Sequence, residues 1–400
     1  MIADGGNLIH GLECPKQTSV PQEAAIFLSD LQVPMPRSPH DQEAFQAVFL
    51  SADFPYGDLH EIARTLELAD IFVPGYIAPN VGLYHPDGFL YENHFQRIKT
   101  ILLPDRNIVS RMAQVAKGEP IDEQRRLAAA VLAFAQCLDI LIEPSIAFHE
   151  LAPKHGNDTA HDELAWFRVA DNGNAHHWVA AALGRRQRIE PPNAATPVAQ
   201  LDLAKPLRRW RRNYVAALKI GALELAGGTP LSRLLGLFEW MLRDFIIAGP
   251  AAMFACVYFA PNSPPRRGLL KHLRSRDRAR AIAGTQNAAW DITHLSDLID
   301  KVSKAPDGHP RYIFASLDDG LRCIAKLLFS GGVDSTAQVE LTRVLSQWWP
   351  PADAGAIADT LFALYARADD PDRQVHRNDT LDFVDAMIAA GEAEIAGWAP

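Results

Sequence analysis

Two short apolar runs that end in acids constrain this chain most: ILLPD at Ile101–Asp105 and YIFASLDD at Tyr312–Asp319. Compact apolar runs of this length read as strands buried in a parallel sheet. Each is followed by helical periodicity, NIVSRMAQVAKG after the first and GLRCIAKLLF after the second. A strand running into a helix twice in this way predicts an α/β fold. In an open parallel sheet, ligands sit at the C-terminal ends of the strands, where Asp105 and Asp318 stand.

The rest of the chain supplies mainly helices. Asp122 is placed to cap EQRRLAAAVLAFAQCLD, and a short helix, SIAFHEL, follows the apolar run ILIEP and stops at Pro153. In RNYVAALKIGALELA the residues Tyr214, Ala217, Leu218, Gly221 and Leu225 keep one helical face, as do Leu231, Leu234, Leu235, Phe238, Met241, Leu242 and Phe245 further on. AAWDITHLSDLIDKV reads as a helix, and the residues after about 335 read as helical with breaks at Pro350-Pro351 and near Pro371. The first 96 residues are turn-rich, with short apolar runs such as ADIFVPGYIA and no chemical motif.

Composition excludes several classes. With 48% hydrophobic and 22% charged residues the chain is globular and long enough for two domains. A net charge of −9 argues against an all-over nucleic-acid coat and leaves room for local basic patches. Cys14, Cys137, Cys256 and Cys323 lie far apart with no CxxC pair, so neither a zinc site nor a disulfide framework is expected, and a reducing cytoplasmic setting is. The start, MIADGGNLIHGLE, lacks the basic and apolar regions of a secretory signal. The longest apolar stretch, Phe245–Ala260, is broken by Gly249-Pro250 and falls short of the roughly 20 residues a membrane helix needs.

Two further acids join the strand-end pair. Glu150 shares a helix face with Ile146 and Ala147, and Asp291 shares one with Leu295, Leu298 and Val302. A carboxylate on an apolar stripe is costly to bury unless something pairs with it.

The order and setting of these four acids resemble the PIN-domain superfamily of metal-dependent nucleases. Asp105-Arg106-Asn107 follows the first strand, Glu150 lies in ILIEPSIAFHELA, Asp291 in NAAWDITHL, and Ser316-Leu317-Asp318 ends the last strand before Asp319. The resemblance implies an α/β fold with a PIN-like three-layer core and central parallel sheet, split into 97–153 and 281–330 by a helical insertion at 154–280. Residues 1–96 are left without a role, and 331–400 form C-terminal helices. It also implies that Asp105, Glu150, Asp291 and Asp318 are catalytic ligands of Mg²⁺ or Mn²⁺, supported by Asn107, Ser316 and Asp319. The bound ion would lower the pKa of a water that attacks the phosphodiester of RNA. Arg106 departs from the family, which usually has a small hydroxyl residue there, and this raises the alternative of a catalytically silent scaffold that binds protein or RNA.

Two basic runs are candidates for holding a nucleic-acid backbone. One is KPLRRWRRNY, with Arg208, Arg209, Arg211 and Arg212, and with Trp210 and Tyr214 available to stack; the other is PPRRGLLKHLRSRDRAR, with Lys271 and Arg274. A third reading is an ATP pyrophosphatase loop at Ser330–Ser335, in SGGVDS. That loop needs an apolar strand before its glycines, whereas GLRCIAKLLF has helical spacing, so Gly331-Gly332 are expected to end one helix and Asp334 or Ser335 to cap the next. HELAPKH is not a zinc-protease motif, because its second histidine comes too late, and His40-Asp41 and His161-Asp162 are expected to hold no metal.

Overall fold

The computed structural model describes residues 53–76, 82–329, 335–367 and 380–399; the expected turn and cap at Gly331–Asp334 and the dipeptide His40-Asp41 lie outside them. The described residues form a mixed α/β protein, mostly helical, with a four-stranded sheet. Contacts divide the chain into two compact units, Met1–Ala204 with Ala305–Ala315, and Lys205–Lys304 with Ser316–Pro400. The segment 154–280 expected as one insertion is thus divided at residue 204.

The first unit holds α1 (Tyr56–Leu68), β1 (Phe72–Pro74), α2 (Pro86–His94), β2 (Thr100–Pro104), α3 (Arg106–Ala116), α4 (Glu123–Cys137) and β3 (Leu141–Ile142). Then come α5 (Ser145–His155), α6 (Asn157–Asp171), α7 (Ala175–Ala182) and, far along the chain, β4 (Arg311–Ala315). The strand order is β1-β4-β2-β3. β2 runs parallel to both β3 and β4, pairing Leu102 with Ile142 and Pro104 with Ala315, while β1 is antiparallel to β4. The apolar runs do become strands because Leu102, Leu103, Ile313 and Phe314 are all buried.

Helices cover this sheet for readable reasons. Asp105 and Asp122 each cap a helix by accepting a backbone N–H three residues on, and α3 buries Ile108, Val109, Met112, Val115 and Ala116 along one stripe. In α4 every residue from Ala128 to Ala135 is buried, so this helix is core on all sides. Its Phe134 ring lies 5.7 Å from Phe72 and 5.5 Å from Phe89. Burying such a ring stabilises the unit by about 2–3 kcal/mol. The expected stop at Pro153 is not where α5 ends: the helix continues to His155, and Gly156, at φ 88°, terminates it.

The second unit is helical throughout its described residues. It comprises α8 (Arg208–Ala226), α9 (Pro230–Arg243), α10 (Gly249–Phe259), α11 (Arg266–Leu269), the long α12 (Arg278–Lys304), α13 (Asp319–Phe329), α14 (Ser335–Leu345), α15 (Pro351–Ala366) and α16 (Leu381–Ala396). α8 packs against α12 and α16 and buries Tyr214, Ala217 and Leu218, while Val215, Phe245 and Val384 form a further apolar cluster. Among the described residues no helix is long and apolar enough to cross a membrane.

Candidate carboxylate site

Asp105 leaves the C-terminal end of β2 and is 2% exposed. Its backbone N–H donates to the Ala315 carbonyl at 2.8 Å, continuing the ladder to β4 by one residue. Its carboxylate accepts the Ile108 N–H at 2.9 Å, which fixes the side chain as the cap of α3. Arg106 beside it is committed elsewhere: its guanidinium donates both terminal nitrogens to Glu163 of α6, at 2.6 and 2.9 Å. Asn107 is exposed, and its carbonyl accepts from Arg111. Glu150 stands half-buried on α5.

One strand-end acid in this unit escaped the sequence reading. Glu143 directly follows β3; its N–H donates to the Leu102 carbonyl at 2.9 Å and its carboxylate accepts the Ser145 N–H at 3.0 Å. The signal was present, since ILIE is an apolar run ending in an acid just as ILLPD is. On α5, burial holds the His149 imidazole below its ordinary pKa, and its Nδ1 lies 3.0 Å from the Leu203 carbonyl.

In the second unit Ser316 is fully buried, its hydroxyl oxygen accepting the Asp318 N–H at 2.9 Å. Asp318 accepts the Leu321 N–H at 3.1 Å and so begins α13 as Asp105 begins α3. Arg322 donates to the Ser316 carbonyl and pairs with Asp319, whose side chain is 88% exposed. Asp291 is half-buried midway along α12.

The four predicted acids therefore fall two in each unit, Asp105 and Glu150 in the first, Asp291 and Asp318 in the second. Among the described residues no three His, Cys, Asp or Glu side chains are grouped so as to hold a metal ion. Carboxylate oxygens suit a hard divalent cation in kind.

Several predicted nucleic-acid contacts have partners inside the protein. Arg209 bridges Asp297 and Asp300, the latter at 2.7 Å, and Arg211 pairs with Asp385. Tyr214 is 1% exposed, which removes it as a stacking surface; it packs under Trp210 at 5.0 Å, and its hydroxyl donates to Glu392. Arg208, on the first turn of α8, and Lys271 are exposed. Arg274 keeps an exposed side chain, which pairs with Glu224.

Comparison with protein-family models, with curated protein sequences and with solved structures finds no match to this chain.

Proposed function

We propose that this chain is a PIN-like nuclease that hydrolyses the phosphodiester backbone of RNA, with Asp105, Glu150, Asp291 and Asp318 as its reactive carboxylates and Mg²⁺ or Mn²⁺ as its ion. The three-layer core belongs to the same proposal. One observation carries it: β2 and β4 are neighbouring parallel strands paired at Pro104 and Ala315, Asp105 follows the first, and Ser316-Leu317-Asp318 follows the second. Asp105 stands one residue and Asp318 three residues beyond its strand, on the C-terminal side where α/β sheets bind ligands.

The test is cleavage of a labelled single-stranded RNA by the full chain in Mn²⁺, in Mg²⁺ and in excess chelator. Cleavage with either ion that stops with chelator supports the reading. Absence of cleavage, or cleavage indifferent to chelator, refutes it.

A second reading, a catalytically silent PIN-like scaffold, is favoured by Arg106 itself, which follows Asp105 where the family usually has a small hydroxyl residue. For that protein the same assay leaves RNA intact in every ion.

A further inference from the structure

We infer that the helical second unit carries a phosphate-binding site built by Arg266 and Arg274 on a buried carboxylate, Glu224, and that its ligand is the phosphodiester backbone of a single-stranded nucleic acid. This inference rests on the nucleic-acid reading above but uses none of the four predicted acids.

Glu224 lies near the end of α8 with its side chain 5% exposed, and three arginines converge on it. Arg233, from α9, pairs with one carboxylate oxygen and is itself 8% exposed. Arg266 and Arg274 both donate a terminal nitrogen to the other oxygen, at 3.0 and 2.9 Å. One buried negative charge thus faces three guanidinium groups that stay protonated at any ordinary pH. The group carries an excess of two positive charges.

Exposure then divides the work. Arg233 is sealed in against the Phe259 ring, 5.3 Å away, and its Nε–H is buried with no partner. Arg266 and Arg274 keep side chains 31% and 64% exposed, and each spends one nitrogen on Glu224. Arg266 is steadied over the Tyr258 ring at 5.6 Å. Two guanidinium groups that share one carboxylate oxygen are held close together with most of their N–H donors unspent. Such a pair offers the forked donors a phosphate accepts, preorganised by a buried anchor rather than by solvent.

The surroundings match a polyanion rather than a lone anion. From residue 266 to 280 the chain has Arg266, Arg267, Lys271, Arg274, Arg276, Arg278 and Arg280 against one acid, Asp277, within a protein of net charge −9. Lys271, Arg274, Arg276 and Arg280 are exposed. Arg278 is excluded from the surface role, since its donors go to the carbonyls of Leu273, Ser275 and Ile395. In the other basic run, Arg209 and Arg211 have their charge taken up by Asp297, Asp300 and Asp385.

The test is fluorescence-anisotropy binding of a labelled 20-nucleotide RNA to the full chain in EDTA, where no metal-dependent cleavage occurs, over a range of salt. Arg266→Gln/Arg274→Gln is expected to weaken binding about 10-fold or more and to lower the slope of log K against log salt by about 2. Arg243→Gln, which removes an exposed cation paired with Glu239, leaves both unchanged. If the double variant melts early, Arg274→Gln alone is read, with about half the slope change. Inorganic phosphate, added at the same concentration of phosphate groups, is expected not to displace the RNA. Unchanged affinity and slope in the arginine variants overturn the site, and displacement by inorganic phosphate at that concentration overturns the backbone as its ligand. Loss of binding here is readable whether or not the protein cleaves RNA.

Discussion

Asp171 ends α6 inside the first unit, and burial pushes its carboxyl up to about 6, with Arg168 at 4.0 Å only partly offsetting the cost. In the unfolded chain the same group titrates near 3.9. Between about pH 4 and 6 the folded protein therefore holds a proton that the unfolded chain has released, so stability falls as pH rises through that window and is level above it. Asp171→Asn removes the charge while keeping the shape. It should raise stability at pH 7 by about 1–2 kcal/mol and flatten the decline, as read from urea unfolding at pH 4.5 to 7.5. Parallel curves for variant and parent would show that Asp171 is not a buried charge.

At this same scale the sequence is informative about some acids and mute about others. Asp105 and Asp318 were legible because each follows an apolar run and precedes a helical period, which are local signals. Glu143 was hidden by its strand, only two residues long, and by the proline after it. Asp297, the partner of Arg209, and Arg274, a partner of Glu224, lie tens of positions away, where spacing arguments do not reach.

Among the elements, α12 shows how close packing limits a sequence. A β-carbon on Gly284 would fall on the carbonyl oxygen of Lys271, and backbone cannot move aside as a flexible side chain can. Gly284→Ala should therefore cost about 2–3 kcal/mol despite the better helix propensity of alanine. A thermal melt checks it: a stability equal to or above the parent's would mean that α12 and the segment at Lys271 do not approach this closely. The helices α3, α4, α5, α8, α9, α12 and α13 were readable from their 3.6-residue period, whereas α1 and α2 lie in a stretch that reads as turn-rich. β1 was not, because three residues ending in Pro74 carry no alternation, and only pairing with β4, more than two hundred positions on, makes them a strand.

For the whole molecule, the sequence could announce α/β character and a parallel core, and β2, β3 and β4 are parallel. It could not announce where the units divide, since that depends on which helices pack together; those of 154–204 join the first unit, whereas α8 to α12 join the second. If carboxylates following neighbouring parallel strands serve phosphodiester hydrolysis, as proposed, Asp105 is the residue at which to test it. Asparagine caps helices as well as aspartate does, so Asp105→Asn keeps the fold and removes only the negative charge. With matched circular-dichroism melts, the first-order rate of RNA cleavage in Mn²⁺ should fall about 100-fold or more. A rate equal to the parent's would mean that Asp105 takes no part in hydrolysis.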